Sequence, residues 1–180
     1  QLFNNTYGAI LYLAMAGGFT VTEVLGSTAT DTANGLGGLN GLPLASQDIL
    51  KGSKFNMPRQ ARSIPEGLSS RGYFSKNVTV HVIAGPEDYL FTKEVIDNFY
   101  SHAFLLSAEI SRVGYRLTGH PIYADSYNIP SKTVLPGTIQ IPPSGDPIIL
   151  MADGPVTGGY PRMGVVAKVD QPILAQLRSG

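Results

Sequence analysis

The sequence predicts a mainly β fold with a few helices, arranged as a closed or nearly closed β-barrel with the helices at its periphery. Short apolar or alternating segments recur along the chain, and 21 glycines and 13 prolines punctuate them. Only two segments carry the signals of a helix, and no repeat of fixed period is visible. At 180 residues, the chain is long enough for one domain with a proper hydrophobic core.

The first block, residues 1–50, is predicted to hold a buried strand at Tyr7–Met15 and one helical turn at Val21–Leu25. Residues 26–48 are rich in glycine, serine, threonine and asparagine, which indicates an elaborate loop region. Residues 51–76 are polar, contain prolines and show no clear period, so we expect a mobile excursion or linker there.

The second block, residues 77–180, is predicted to form the main part of the barrel. An alternating strand is expected at Val78–Ala84, and Thr92 can cap a helix that runs to about Phe104. Asp170 is predicted to cap a last helix that runs to about Leu177, with a proline in its first turn. Further short strands are expected at Tyr115–Leu117, Thr138–Ile141, Pro147–Ala152 and Met163–Val169. Together the blocks are expected to form one domain that is a fragment of a longer protein.

Composition excludes several classes of function. Thirteen basic residues balance thirteen acidic ones, so there is no electrostatic case for nucleic acid or for an anionic membrane. No stretch of 18 uninterrupted apolar residues is present, which predicts no membrane span. The absence of cysteine excludes disulfides, thiolate metal sites and cysteine nucleophiles, and it fits a reducing compartment. We therefore expect a cytoplasmic protein.

The segment 153–166 is the most distinctive polar stretch. It crowds glycines and prolines between two apolar runs and includes Asp153, Thr157, Tyr160 and Arg162. Glycine permits φ > 0 or a close approach, and proline fixes φ, so the segment is either a shaped loop of a binding site or an ordinary connection between strands.

Two arginines form a second candidate. Arg112 and Arg116 flank Gly114-Tyr115, and residues at this spacing along an extended segment point to one face. They would suit a clamp for a carboxylate or phosphate group. Surface solubility explains them equally well.

Other candidates have plainer explanations. His81, His102 and His120 show no metal-ligand spacing, and no metal site is predicted. The glycine-rich segment Gly35–Gly41 fails the dinucleotide-binding pattern, so turn formation is the better interpretation. Glu87-Asp88 offers paired carboxylates, although Asp88 could form an Asx-turn before the helix.

Seven segments recur in the order expected of one family. They are Leu13–Phe19, Val24–Ser27, Gly35–Gly41, Gly85-Pro86, Arg112–Leu117, Pro136–Pro143 and Thr157–Pro161. Taken together, they resemble the biotin-dependent carboxyltransferase subunit 2 family. That family includes the second subunit of allophanate hydrolase-type proteins, KipA and the C subunit of bacterial 5-oxoprolinase, and it is similar to the carboxyltransferase region of urea carboxylase.

The resemblance implies a cyclophilin-like β-barrel and a protein that works in a complex. Expected partners are a KipI-like subunit 1, a third subunit as in 5-oxoprolinase, and the N-terminal half of the same protein, because the match covers the family's second half. ATP is expected to be used by the complex. Biotin is a weaker expectation, for the reason that follows.

The resemblance also implies site residues. Ser111 and Arg162 are the catalytic candidates, at positions where relatives carry aspartate and lysine beside the biotin and substrate site. Serine supplies no carboxylate, and arginine stays protonated where lysine can act as a base, so carboxyl transfer is weakened. The expected substrate-binding residues are Arg112, Tyr115, Arg116, Gln140, Asp153, Thr157, Gly158, Gly159 and Tyr160.

Three functions follow from the resemblance. The leading one is a subunit of an ATP-dependent amide or lactam hydrolase like 5-oxoprolinase, which opens 5-oxoproline to glutamate. The alternatives are the carboxyltransferase component of a urea carboxylase or allophanate hydrolase-like system, and a non-catalytic KipA-like regulator that binds a KipI-like kinase inhibitor.

Overall fold

The computed structural model describes residues 8–55 and 76–179. The chain divides into two compact units, one made of Gln1–Leu11 with Glu66–Gly180 and the other of Tyr12–Pro65. Most of the predicted excursion at 51–76 lies outside the described residues.

The larger unit contains the regular structure. Its elements are β1 (Val82–Ala84), a 3-10 turn (Asp88–Leu90), α1 (Lys93–Ser101), β2 (Leu105–Ile110), β3 (Gly114–Thr118), β4 (Lys132–Thr133), β5 (Thr138–Gln140), β6 (Ile148–Leu150), β7 (Thr157–Gly158), β8 (Arg162–Val166) and α2 (Gln171–Ala175). Six strands form one antiparallel sheet in the order β1-β8-β5-β6-β3-β2, and β4 pairs with β7 in a separate two-stranded ribbon. The predicted mainly β fold with a few helices is confirmed.

One face of the sheet carries the hydrophobic core. Tyr115, Ile149 and Ile139 stand opposite one another on β3, β6 and β5, so their side chains point to the same face. They pack with Phe99 of α1 and Leu174 of α2, and all five side chains are buried. The helices therefore cover the core face, and the next row of side chains along each strand points away from it.

Helix α1 begins where the sequence predicts. The Thr92 hydroxyl accepts a hydrogen bond from the Val95 backbone N–H at 3.3 Å, as an N-cap should. The helix ends at Ser101, earlier than predicted, because His102 turns to extended dihedrals of φ −106° and ψ 151°.

Strand β2 follows at once and was missed by the sequence analysis. It is an edge strand whose register with β3 shifts between Leu106 and Ile110, so the strict alternation that marks a strand is broken there.

Helix α2 is confirmed, but the role expected of Asp170 is wrong. Asp170 occupies the N-cap position without a capping bond from its side chain. Its carboxylate instead accepts from the backbone N–H of His81 at 2.6 Å and lies 2.9 Å from Nδ1 of the same residue. Hydrogen bonds from the His81 backbone and then its side chain lower the pKa of Asp170. This contact fixes the chain that enters β1, which begins at Val82, later than predicted.

The described part of the smaller unit, residues 12–55, consists of loops and isolated bridges. The predicted strand at Tyr7–Met15 is wrong for its described residues, which form no strand and expose Leu11, Tyr12, Leu13 and Met15. An apolar run without alternation cannot by itself distinguish a buried strand from an exposed segment.

The predicted helical turn at Val21–Leu25 is also wrong. Val24 and Ser27 form an antiparallel bridge around Leu25-Gly26. Leu25 and Gly26 have φ of 52° and 76°, which a right-handed helix cannot accommodate. The structure therefore places a tight hairpin-like turn where a helical turn was expected.

Candidate functional site

A buried carboxylate with two cations is the strongest polar constellation of the larger unit. Glu87 is fully buried, and its oxygens accept from Arg162 twice, Nε to Oε2 at 2.5 Å and Nη2 to Oε1 at 2.6 Å. Lys132 Nζ donates to Oε1 at 3.0 Å. The remaining Arg162 nitrogen, Nη1, donates to the Thr133 carbonyl at 3.0 Å. We call Glu87, Lys132 and Arg162 the Glu87 cluster.

The backbone conformation at Gly85 places Glu87 next to Arg162. The turn after β1 approaches β8 so closely that a Cβ on Gly85 would collide with the Arg162 carbonyl oxygen. The Gly85 N–H donates to the Met163 carbonyl at 3.0 Å. Met163 is the extra residue of a β-bulge, since Gln140 opposes Arg162 and Ile139 opposes Gly164. Bulges redirect side chains locally, and this one lies directly beside Arg162.

Electrostatics in the Glu87 cluster keep the carboxyl group ionised. The hydrogen bond from Arg162 is the main cause that lowers the pKa of Glu87. Burial opposes this effect, and the bond from Lys132 adds to it. The same pair raises the pKa of Arg162, chiefly through its hydrogen bond to Glu87. Glu87 therefore stays ionised near neutral pH and cannot serve as a general acid, and Arg162 stays protonated.

Gln140 lies next to the Glu87 cluster and carries an unused donor. It is the cross-strand partner of Arg162, and only 5% of its surface is exposed. Its Nε2 is buried and has no hydrogen-bond partner among the described residues. A Cβ on Gly158 would collide with this nitrogen, so the amide packs against a residue without a side chain. Gly158 is in turn the cross-strand partner of Lys132.

Ser111, Arg112 and Asp153 form a second group. The Arg112 guanidinium donates to Asp153 through Nε at 2.5 Å and through Nη2 at 2.9 Å, and both side chains are at least half exposed. The Ser111 hydroxyl accepts from the Val113 backbone N–H at 3.2 Å, which is a local turn contact. This group occupies the connection between β2 and β3 and the loop after β6, so Ser111 and Arg162 belong to different groups of contacts.

The other predicted binding residues differ in surroundings. Tyr115 is buried in the core, where its hydroxyl lies 3.5 Å from the Ala175 carbonyl and its pKa is raised by burial. Arg116 points to the opposite face of β3 and donates to Glu109 at 2.7 Å. Thr157 and Tyr160 are exposed, and Gly159 packs near Ser131. The predicted residues nearest the Glu87 cluster are thus Gln140, Thr157 and Gly158.

The glycine-rich segment lies in the smaller unit. Gly35, Gly37, Gly38 and Gly41 all have positive φ, and a Cβ on Gly37 would collide with the Ala29 carbonyl oxygen. With the threonines at 20 and 22, the segment lines an open cleft of about 690 Å³ whose described lining residues include no charged side chain. These glycines serve tight turns and close backbone packing.

Histidines and acidic residues form no evident metal centre within residues 8–55 and 76–179. No group of three or more potential ligands could hold an ion there. The rings of His102 and His120 lie 4.2 Å apart, and His102 Nδ1 is 2.9 Å from the Asn98 carbonyl. Across the same described ranges, no helix is long and apolar enough to cross a membrane.

Sequence reasoning missed the central role of Glu87 and the involvement of Lys132. The sequence shows Glu87 and Asp88 as adjacent carboxylates. In the structure their surroundings differ, because Glu87 is buried and Asp88 is exposed. No local pattern indicates Lys132, because its contact with Glu87 joins residues 45 positions apart.

Replacing Glu87 should destabilise the protein strongly. Glu87→Gln leaves the Arg162 guanidinium, only 14% exposed, without its carboxylate. We expect a loss of roughly 3 kcal/mol in the free energy of unfolding, measured by chemical denaturation. Adding Arg162→Met should recover part of this loss, since the unpaired charge is removed. Glu109→Gln, which breaks an exposed pair, is the matched control and should cost about 0–1 kcal/mol. Equal losses for both single variants would contradict this description.

The Glu87 cluster should also give stability a distinct pH dependence. Because folding lowers the pKa of Glu87, its ionised form contributes stability above the ordinary value of 4.5. That contribution is lost as the pH falls below 4.5 and through the folded-state pKa. The difference in free energy of unfolding between the wild type and Glu87→Gln should therefore be constant near neutral pH and shrink in acid. A difference that stays constant into strong acid would show that folding does not lower the pKa of Glu87.

Comparisons with known proteins agree with one another. A family model described as "Carboxyltransferase domain, subdomain A and B" matches residues 1–180. The C subunit of 5-oxoprolinase from Escherichia coli is 35% identical over 176 residues, which cover 97% of this chain and 54% of that protein. The protein of the same name from Haemophilus influenzae is 31% identical over 171 residues, 94% of this chain and 53% of that protein.

The structural comparison agrees with the comparisons of sequence. The crystal structure of Kluyveromyces lactis urea carboxylase superposes with a TM-score of 0.75 at 26% identity, covering 97% of this chain and 17% of that chain. The chain spans about half the length of the two curated relatives and a small part of the urea carboxylase. Such matches occur either in a named subunit or within a larger fused chain. The chain belongs to the family of carboxyltransferase domains with subdomains A and B.

Proposed function

We propose that this chain is part of a subunit of an ATP-dependent amide or lactam hydrolase of the 5-oxoprolinase kind, which converts 5-oxoproline to glutamate. The observation that carries the proposal is the similarity to two proteins named as the C subunit of 5-oxoprolinase, at 35% and 31% identity over nearly all of this chain. The partners that we propose are a KipI-like subunit 1, a third subunit and the remaining half of the same protein. ATP would be used by the complex, in the cytoplasm.

The Glu87 cluster is compatible with an anionic substrate. Two cations face a single carboxylate, so these three residues carry an excess positive charge. 5-Oxoproline bears one carboxylate and one amide carbonyl, and both are acceptors that lysine and glutamine side chains can bind.

The described residues do not suit carboxyl transfer from biotin. Ser111 has no carboxylate, and its hydroxyl accepts a local backbone hydrogen bond. Arg162 is held by Glu87 and stays protonated, so it cannot take the role of a basic lysine. No step through biotin is therefore assigned to this chain.

A second candidate is the carboxyltransferase component of a urea carboxylase-like system. The similarity to the Kluyveromyces lactis urea carboxylase structure, which covers 97% of this chain, favours it. That similarity concerns the backbone fold. Ser111 and Arg162 do not fit carboxyl transfer, because serine has no carboxylate and arginine stays protonated. No structural observation on the described residues specifically favours the third function, a KipA-like regulator.

Turnover by the assembled complex tests the leading proposal. The full-length protein, mixed with its subunit 1 and third subunit, should produce glutamate from 5-oxoproline in the presence of ATP, measured by chromatography. Mixtures that omit one subunit are the controls and should be inactive. No turnover above those controls would refute the proposal. Transfer of the carboxyl group from added carboxybiotin to urea by the same preparation, in place of glutamate formation, would establish the second candidate.

A further inference from the structure

Lys132 is the exposed cation of the Glu87 cluster. Its side chain is 45% exposed, whereas those of Arg162 and Glu87 are 14% and 0% exposed. Within the described part of the chain its ammonium group makes one bond, at 3.0 Å, to an oxygen that already accepts from Arg162 at 2.6 Å. An ammonium group has three donors, so Lys132 can satisfy further acceptors without releasing Glu87.

Arg162 is less accessible to a ligand than Lys132. Nε, Nη1 and Nη2 each donate to a protein acceptor, two of them to the buried Glu87, and the side chain is only 14% exposed. A ligand carboxylate could replace Glu87 only by leaving that buried carboxylate without its main partner, which is strongly unfavourable. An arriving anion therefore meets Lys132 in preference to Arg162.

The amide of Gln140 supplies a second donor close by. Its Nε2 is buried and unpartnered among the described residues, a rare condition in native proteins that leaves a donor available to a ligand or water. The cover over this nitrogen is Gly158, which stands opposite Lys132 in the ribbon of β4 and β7. Gly158 therefore adjoins both residues, Lys132 through the strand pairing and the Gln140 amide through packing.

We propose that Lys132 and Gln140 form a recognition site for a small carboxylate, with Lys132 binding the anion and Gln140 Nε2 donating to an oxygen of the same ligand. Glu87 is a positioning residue, since it holds Arg162 away from the ligand and orients Lys132. Because Gly158 covers Nε2, this binding mode requires the ribbon of β4 and β7 to shift when the ligand enters. The inference rests on the proposed function in that it names the residues that bind the substrate's carboxylate.

Calorimetric titration of the full-length protein with 5-oxoproline, and separately with propionate, tests the role of Lys132. Lys132→Met should weaken both ligands roughly 10- to 100-fold, as expected for the loss of a charge-assisted hydrogen bond. Lys132→Arg should retain binding within a few-fold, and Lys168→Met, which removes another exposed lysine, should match the wild type. The neutral lactam 2-pyrrolidinone should bind equally to the wild type and to Lys132→Met.

The Gln140→Leu variant tests whether Gln140 contributes to ligand binding or only to the stability of the fold. This change removes a buried amide nitrogen that has no partner among the described residues, so the melting temperature should stay the same or rise. Binding of 5-oxoproline should nevertheless weaken about tenfold, because a ligand acceptor loses its donor. A merely structural role for Gln140 would leave binding unchanged.

The outcomes distinguish the inference from the proposed function. Wild-type affinity in Lys132→Met or Gln140→Leu, or no binding of either carboxylate to the wild type, would overturn the inference, even if the complex turns over 5-oxoproline. Conversely, binding of propionate that depends on Lys132, without turnover of 5-oxoproline, would uphold the carboxylate site and refute the proposed function.

Discussion

The ion pair between Glu87 and Arg162 is the constraint on which the candidate site depends. A fully buried carboxylate is costly unless it is paired and hydrogen-bonded, and Arg162 meets that need with two bonds of 2.5 and 2.6 Å. The requirement links the turn after β1 to the beginning of β8. It also explains the close approach at Gly85, where a side chain would collide with the Arg162 carbonyl. The close backbone approach at Gly85 and the buried ion pair therefore both hold the turn after β1 against β8.

This pairing determines which groups remain for chemistry. Arg162 is largely buried and donates from all three of its nitrogens to protein acceptors, so it acts mainly as a structural cation, and it cannot transfer a proton. Lys132 and the Gln140 amide keep unused donors, and Gly158 adjoins both residues. The site is therefore better suited to holding an anionic ligand than to supplying a base. Catalytic groups of an amide or lactam hydrolase would then come from other parts of the complex.

Sequence reasoning succeeded where the signal was local. The Thr92 cap and the short strands around Tyr115 and Gln140 follow from capping chemistry and from apolar runs bounded by turns. It failed where partners distant in sequence decide the outcome. Asp170 binds His81 instead of capping its own helix, and Glu87 meets a lysine 45 positions away. The family resemblance pointed to Arg162 as a site residue. Only the structure shows that the Arg162 guanidinium is hydrogen-bonded to the Glu87 carboxylate.

The most direct test is a crystal structure of the full-length protein in complex with 5-oxoproline. Our account predicts the ligand carboxylate on Lys132, an oxygen of the ligand on Gln140 Nε2, and Arg162 still paired with Glu87. A carboxylate bound to the Arg162 guanidinium, with Glu87 displaced from it, would contradict the account.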